Sequence, residues 1–408
     1  MSEEGPSNSN VGEDSEMAVY RKEAVNVVNF KFVYDKDDLE SDKGINFKPE
    51  MAHQIFGESE SIFGYRSLSI NLNYWHNSCR CYLDIESSGK IVNDHMKADD
   101  IVKSLNPWLP ENFTSSYDDF IDMMDSEDHE QIFGEVIKTF KDEKEMTQFP
   151  DHHIKATYKI TKNNVDNEDF KDFHARFETF IVWFIDAANF IDLDDDRWLI
   201  FYVYEEFEHP IKKKLYRSPL GFCTVYKFYA YPNNIRPRIS QFFILPSHQR
   251  RGLGTVLYET VASTLRDMSN VIDLTVEEPT TSFQKIRDLD DCFLVHKELS
   301  EKKIDFFSAQ SHDIFKIAKK NKIARRQTQR VYDILECIRE RISNNNEKQS
   351  SRASKRFCNM NRAAVSIQVE KGAMVDAEHK RYLEDIEPSV KYLQKKLKDK
   401  LNTILAKN

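Results

Sequence analysis

Hydrophobic and polar positions alternate in short stretches along the first part of the chain, which is the pattern of strands with one buried face. The clearest stretches are 68–74 and 154–160. Between them, apolar residues recur at helical spacing over 97–105 and 117–143. These patterns predict a first mixed α/β domain over residues 19–140.

The middle of the chain repeats a different order of elements. It predicts a long helix along Phe170, Phe173, Phe177, Phe180, Phe184 and Ala188, then strands at 198–204, 222–231 and 238–245, a helix at 255–265 and a strand at 271–276. A glycine turn at 249–254 separates the third of these strands from its helix. We place a catalytic domain at 141–282 around this strand, turn, helix and strand.

The last third has helical patterns separated by polar segments. One apolar face contains Val331, Ile334, Leu335, Ile338 and Ile342, which predicts a C-terminal helical domain over 283–342. A charged linker and a terminal helix are expected at 343–408. The terminal helix carries Val390, Leu393, Leu397, Leu401 and Leu405 on one side, so it either docks on the body or a partner, or frays in solution.

Composition sets limits on the class of protein. The chain has 408 residues, 40% of them hydrophobic, with 28 Phe and 17 Tyr, which favours globular domains over wholesale disorder. Residues 1–18 are predicted to be a disordered acidic tail. The net charge of −10 favours a basic partner, and direct binding to nucleic acid is not expected.

Targeting and cysteine patterns are equally plain. We find no secretory signal and no stretch of eighteen apolar residues, so an intracellular protein without a membrane span is expected. The six cysteines have no CxxC spacing, which predicts reduced thiols and no metal site.

The turn at 249–254 has the spacing Q-x-x-G-x-G at the start of a helix. Glycines there let backbone N–H groups approach a phosphate, and the helix dipole favours the anion. A helix cap with a tight turn is the alternative interpretation. The chain lacks GxxxxGK[ST] at this position, which argues against a nucleotide P-loop.

Several motifs in this order resemble known families. FFILPSHQRRGLG, VIDLTV and EEP resemble the acetyl-coenzyme A site of the GNAT acetyltransferases. FGESESIFGY, WFIDAANFIDLDDDRW and TVYKFYAYPNNIRPRISQ resemble the catalytic subunit of the type B histone acetyltransferases, from about residue 30 to about 342. The resemblance implies an α+β protein with a GNAT acetyltransferase domain, an N-terminal mixed α/β domain and a C-terminal helical domain.

The resemblance also implies where acetyl-CoA binds. Main-chain groups near the end of the third strand would hold the pantetheine arm, and the glycine turn would wrap the pyrophosphate. The implied cofactor-binding residues are Phe242, Phe243, Ile244, Gln249, Arg250, Arg251, Gly252, Leu253, Gly254, Thr255 and Ser282.

A lysine has an intrinsic pKa near 10.4, so only about one amine in 2,500 is neutral at pH 7 and a base is needed. Alternation in VIDLTVEEP places Glu277 at a strand end on the polar side, and we predict that it is the general base. A solvated carboxylate is the alternative. The resemblance assigns the base role to the same position. Glu278 is a further carboxylate of the predicted catalytic set, for which we expect electrostatic support.

Asp186 is the second candidate base, since it is the one charged residue between Phe180 and Ile191 and burial there would raise its pKa. The family more often has Glu at this position, and the shorter side chain favours a relay through water. Cys223 and Cys292 lack the pattern of an activated nucleophile, so direct transfer is expected.

A histone tail groove is implied by the resemblance. Its acidic residues would pair with basic tail residues, and its aromatic residues would pack against the stem of the target lysine. The implied substrate-binding residues are Glu58, Ser59, Glu60, Trp198, Tyr226, Lys227 and Phe228.

The sequence therefore predicts a histone acetyltransferase that modifies lysines of a newly synthesised histone H4 tail. The alternatives are a GNAT enzyme acting on another protein or a small amine, and a non-catalytic scaffold of a histone chaperone complex. The resemblance implies a WD40 histone-binding chaperone as partner and a location in nucleus and cytoplasm. The basic cluster at 319–326 is either a nuclear import signal or a solvated helix junction.

Overall fold

A computed structural model describes residues 17–41, 44–91, 96–145, 154–346 and 380–395. The chain divides into two compact units. The first comprises Met1–Thr224 and Phe242–Leu253, and the second comprises Val225–Gln241 and Gly254–Asn408. Each unit is described by itself.

The elements follow in chain order. The strands are β1 (Arg21–Glu23), β2 (Val28–Val33), β3 (Ile45–Phe47), β4 (Ser61–Phe63), β5 (Leu68–Trp75), β6 (Cys81–Ser87), β7 (Glu135–Glu145), β8 (Lys155–Asn164), β9 (Trp198–Glu208), β10 (Leu215–Ala230), β11 (Asn234–Ile244) and β12 (Thr275–Val276). The helices are α1 (Ala24–Val27), α2 (Lys36–Glu40), α3 (His53–Phe56), α4 (Ile101–Leu105), α5 (Tyr117–Ser126), α6 (Glu168–Glu178), α7 (Leu253–Asp267), α8 (Thr281–Glu301), α9 (Ser311–Lys320), α10 (Arg325–Asn346) and α11 (380–395). Short 3₁₀ turns lie at Asn106–Trp108, Thr179–Trp183 and Pro246–His248.

Two larger groups of strands build the first unit. One sheet has the order β3-β2-β5-β6, in which β2 and β5 are parallel and the other pairs are antiparallel. In the other, β7, β8 and β9 are successive antiparallel neighbours, followed by the parts of β10 and β11 that belong to this unit. Burial alternates along β8, as a strand with one covered face requires.

Aromatic rings fill the core beneath the first sheet. Phe30 stacks on Phe47 at 5.2 Å between centroids, and Tyr74 packs against Phe180 at 4.5 Å. Phe180 follows α6, whose first turn is capped by Asn167 Oδ1 accepting from Phe170 N at 2.9 Å. The packing against these rings fixes the segment that leads to Asp186.

The second unit contains a short parallel ladder and a helical core. Arg238 and Ile239 of β11 pair with Thr275 and Val276 of β12. Helices α8 to α11 enclose an apolar cluster that includes the fully buried Val331, Ile334 and Ile338 of α10. The helices on their own carry amphipathic faces, and this packing buries them.

Helix α11 docks on that helical core. Its residues Ile386, Val390 and Leu393 are buried in the same cluster as α10. Ser389 Oγ donates to the buried Asp288 of α8 at 3.0 Å, and Tyr382 Oη donates to Asp333 at 2.7 Å. Docking on the body, one of the two roles expected for the terminal helix, is confirmed for 380–395, and the remaining apolar positions, Leu397, Leu401 and Leu405, lie outside the described residues.

Several predicted elements are corrected by the structure. The helical pattern at 117–143 is wrong beyond Ser126, because 135–145 forms strand β7. The predicted strand at 271–276 is shorter, with a ladder at Thr275–Val276 and an isolated bridge from Val271 to Ile235. The helix that begins at Phe170 in the prediction begins at Glu168 and ends at Glu178, where a 3₁₀ turn follows. The domain boundaries at 140, 282 and 342 stay predictions.

Candidate active site

The turn after β11 has an unusual backbone in the first unit. Arg250 and Gly252 both have positive φ, 61° and 89°. A Cβ on Gly252 would meet no atom within 4 Å, so the backbone conformation and not crowding calls for glycine. Turns of this kind aim N–H groups at an anion, and Leu253 then begins α7, whose dipole adds to that attraction. The turn therefore has a backbone conformation suited to binding an anion.

Buried groups of the first unit hold this turn in place. Gln249 Nε2 donates to the carbonyl of Ile244 at 3.0 Å. Arg251 Nη2 donates to Tyr158 Oη at 2.8 Å, and Tyr158 Oη donates to the fully buried Glu205 at 3.0 Å. Glu205 therefore anchors the turn through a tyrosine and an arginine, a role that the sequence analysis did not find because the three residues are far apart in the sequence.

The end of β11 is part of the core of the first unit. Phe243 and Ile244 are buried, and Phe243 lies 5.5 Å from Phe184 between ring centroids. A Cβ at Gly221 would lie 2.2 Å from the carbonyl oxygen of Phe243, so β10 must carry glycine where it passes β11. Phe242 is half-buried. Main-chain groups, and not the side chains of Phe243 and Ile244, are what this strand end can offer to a ligand.

Asp186 differs from its predicted setting. Its side chain is 79% exposed, so the burial on which the sequence argument rested is wrong. Ile181, Val182 and Trp183 of the 3₁₀ turn are buried, whereas Asp186 lies in the loop after that turn. Its carboxylate Oδ1 lies 3.0 Å from Nε2 of His53, a residue that the sequence analysis did not single out. Its role as a relay stays a prediction.

Glu60 is tied to the same histidine. Its Oε1 accepts from the backbone N–H of Ala52 at 2.8 Å and of His53 at 3.0 Å. The pKa of the Glu60 carboxyl is lowered, first by the N–H of Ala52, with desolvation opposing and His53 adding to the effect. Glu58 and Ser59 are exposed beside it. The first unit thus brings Glu60 and Asp186 together through His53.

Trp198 begins β9 and is half-buried in the first unit. The other aromatic candidates for the tail groove lie in the second unit, where the rings of Tyr226 and Phe228 are 4.6 Å apart and meet edge to face. The guanidinium carbon of Arg238 lies 4.7 Å from the centroid of the Phe228 ring. Lys227, which stands between the two aromatic residues in the sequence, is half-buried. This part of β10 presents an aromatic and cationic surface.

Glu277 occupies the predicted strand end in the second unit. Its N–H donates to the carbonyl of Ile239 at 2.9 Å, which continues the β11–β12 ladder by one bond. Its exposed carboxylate accepts a hydrogen bond from Ser240 Oγ at 2.7 Å. Glu278 follows with a positive φ of 31° and is exposed. The carboxylate of Glu277 is therefore oriented, while that of Glu278 points from a strained turn residue.

The remaining predicted cofactor residues lie at helix starts of the second unit. Gly254 and Thr255 are half-buried in the first turn of α7, and Ser282 is exposed in the first turn of α8. Among the residues that the structure describes, no group of three or more His, Cys, Asp or Glu could hold a metal ion. None of the helices in the described ranges combines the length and apolar content that a membrane span needs.

Comparison with known proteins shows the family to which the chain belongs. A family model described as "Histone acetyl transferase HAT1 N-terminus" matches residues 20–186, and the "Acetyltransferase (GNAT) family" model matches residues 164–284. The human histone acetyltransferase type B catalytic subunit is 31% identical over 334 residues, which cover 80% of this chain and 76% of the human protein. The chain belongs to this family. The rat protein of the same name is 32% identical over 335 residues, covering 80% and 76%.

Membership of the type B catalytic subunits confirms the α+β GNAT fold that the sequence predicts. It also establishes an acetyltransferase with acetyl-CoA as co-substrate. Among solved structures, an aminoglycoside acetyltransferase from a soil metagenomic sample is 15% identical, with a TM-score of 0.21, over 32% of this chain and 83% of its own.

Proposed function

We propose that this type B catalytic subunit transfers an acetyl group from acetyl-CoA to lysines of a newly synthesised histone H4 tail. The observation that carries the mechanism is the exposed carboxylate of Glu277, fixed at the end of β12 by its own N–H and by Ser240. Such a carboxylate is oriented yet open to an incoming amine.

The chemistry needs a neutral amine. At pH 7 about one lysine in 2,500 has lost its proton, so a base beside the amine raises the reactive fraction. Glu277 accepts the proton from the lysine ammonium, and the nitrogen then attacks the carbonyl carbon of the acetyl thioester. The acetyl group passes to nitrogen and the coenzyme leaves as its thiol. Asp186 relays a proton through water, and Glu278 adds negative charge near the ammonium.

Acetyl-CoA would lie with its diphosphate at the turn of Arg250 and Gly252, where two positive φ values and the start of α7 favour an anion. A covalent acetyl-enzyme is disfavoured by the cysteines. Cys223 and Cys292 are buried, and burial raises the pKa of both thiols, so neither is a ready nucleophile. This supports the proposal of direct transfer.

The tail would bind along acidic and aromatic residues, with Glu58 and Glu60 pairing with basic side chains and Trp198, Tyr226 and Phe228 packing against the lysine stem. A WD40 histone-binding chaperone as partner, and action in nucleus and cytoplasm, are proposed from the family resemblance alone. In the basic cluster at 319–326, Lys322 Nζ already donates to the carbonyl of Arg266 at 2.6 Å, which favours a structural role there.

The test of this function combines a substrate assay with a cofactor variant. The full chain, acetyl-CoA and a histone H4 tail peptide are incubated and the peptide is read by mass spectrometry, with a small polyamine and an unrelated basic peptide as competing substrates. We expect lysine acetylation of the H4 peptide at the highest kcat/KM. Preference for the polyamine would move the enzyme to small amines, and the absence of all acetylation would leave a coenzyme-binding scaffold.

Gly252 supplies the matched cofactor test. Gly252→Asp and Gly252→Asn both add a side chain of similar size at a left-handed position that Asn and Asp tolerate better than most residues, but Asp alone adds negative charge. Calorimetry should show that Asp weakens acetyl-CoA binding by at least about 100-fold, and Asn by much less. Equal affinity for acetyl-CoA in the two folded variants would show that the diphosphate does not bind at this turn.

A further inference from the structure

His53 lies between two carboxylates of the first unit. Its Nε2 is 3.0 Å from Asp186 Oδ1, and its Nδ1 is 3.4 Å from Glu60 Oε1. The imidazole side chain is 27% exposed, and it begins the short helix α3. Each ring nitrogen thus faces a different carboxylate. The ring therefore bridges a residue of the candidate tail groove and a candidate proton relay.

Glu60 forms a fixed anchor on one side of the ring. Besides accepting from the N–H groups of Ala52 and His53, its own N–H donates to Gly57 at 2.8 Å, and its carbonyl accepts from Ala24 at 2.7 Å. Backbone and carboxylate of Glu60 are thus held together. The position of the His53 ring is set from this side.

The backbone on the Asp186 side is fixed as well. Gln54 pairs with the main chain of Ala188 through two hydrogen bonds. Gln54 Nε2 donates to the carbonyl of Ala188 at 2.9 Å, and the N–H of Ala188 donates to Gln54 Oε1 at 3.1 Å. Met51 N donates to Trp183 O at 3.2 Å. These hydrogen bonds therefore connect the segment that carries Asp186 to the segment that carries His53.

The side chain of Asp186 is the exposed part of this arrangement. It is 79% exposed, and within the described residues its carboxylate has no hydrogen-bond or ion-pair partner other than His53. An exposed carboxylate without a partner samples several rotamers. Contact with a ring that is itself anchored selects one of them.

We propose that His53 is a positioning residue for acetyl transfer, which holds the Asp186 carboxylate in the orientation from which it relays the proton of the target lysine. This inference rests on the proposed function. Removing the ring should lower kcat about fivefold, because a relay group that leaves its productive geometry slows the chemical step. Affinity for acetyl-CoA should not change.

Three substitutions of His53 distinguish orientation of the Asp186 carboxylate from a purely structural role in the fold. In His53→Gln the amide reaches the place of Nε2 and can still donate to Asp186, whereas in His53→Asn it reaches only the place of Nδ1 and Glu60. We expect His53→Ala and His53→Asn to lose about fivefold in kcat, and His53→Gln to stay within about twofold of the wild type. An equal loss in all three, together with lower thermal stability, would make His53 merely structural and overturn the proposal.

A double-mutant cycle asks whether the effect passes through Asp186. If it does, His53→Ala should lower kcat no further in an Asp186→Asn background. Additive losses would sink the inference. His312→Ala is the matched control, because His312 also faces an aspartate, Asp313 at 3.1 Å, on an exposed helix start of the second unit. Its kcat should equal that of the wild type.

The same assays keep the two proposals apart. If the wild type acetylates the H4 peptide and Glu277→Gln lowers kcat by roughly 10²–10⁴ while His53→Ala keeps the full wild-type kcat, the inference about His53 alone fails. A wild type that does not acetylate the peptide overturns the proposed function and the inference with it.

Discussion

Two regions of the molecule present an exposed carboxylate by different means. In the second unit, Glu277 directly follows the short strand β12, and among the described residues its N–H and its carboxylate bond to Ile239 and Ser240 of the neighbouring strand β11. In the first unit, Asp186 lies in a loop, and its contact is a histidine from a distant part of the sequence. One carboxylate is oriented by the ladder that carries it, and the other by a tertiary contact. Orientation of Glu277 should therefore survive changes that release Asp186.

The strongest test of this contrast is Glu277→Gln. The amide keeps the shape and can still bond to Ser240 but does not accept the proton, so kcat should fall by roughly 10²–10⁴ with little change in acetyl-CoA affinity. Raising the pH should restore part of the rate, because more of the lysine is then already neutral. Steady-state kinetics from pH 7 to 9.5 measure this, and near-full turnover of the variant would move the base to Asp186.

Asp186→Asn should have a smaller effect, about tenfold in kcat, since a relay contributes less than the base itself. The asparagine amide can keep a contact with His53, so the fold should be unaffected. Thermal denaturation and kinetics of the same preparation distinguish a loss of activity from a loss of folding stability. A dead Asp186→Asn enzyme beside an active Glu277→Gln enzyme would reverse the roles of the two regions.

Ser240→Ala should have the smallest effect, a loss of about threefold in kcat. The serine restrains one rotamer of Glu277, and the order of one side chain is worth about 0.5–1.5 kcal/mol, while the N–H of Glu277 still bonds to Ile239. Ser240→Thr keeps the hydroxyl and is the matched control. Turnover that falls as far as in Glu277→Gln would mean that the ladder does not orient the base.

The same contrast explains what the sequence could predict. Glu277 follows from alternation along one strand, so a local pattern was sufficient to place it at the strand end, even though β12 is shorter than predicted. His53 has no local signal. Its contact with Asp186, like the Gln54 pair with Ala188 134 residues away, arises only when two segments fold together.

Local patterns also explain the clearest error. Val136, Ile137 and Phe140 in 135–145 match helical spacing as well as a strand. In the structure this segment is β7, paired with β8 at the end of the strand order. An end strand has a partner on one side and carries charged residues such as Lys138 and Lys141, so its alternation is weak. Pairing with β8, a long-range contact that the local sequence pattern does not show, decided the element.

Helix α11 bears on how the protein can be shortened. Its buried Val390 and Leu393 cover apolar residues of α10, and Ser389 completes the bonding of the buried Asp288. A version cut after residue 342, where the recognisable motifs end, would expose that apolar surface to water and remove one partner from a buried charge. We expect such a fragment to aggregate during purification, even though it contains every proposed catalytic residue.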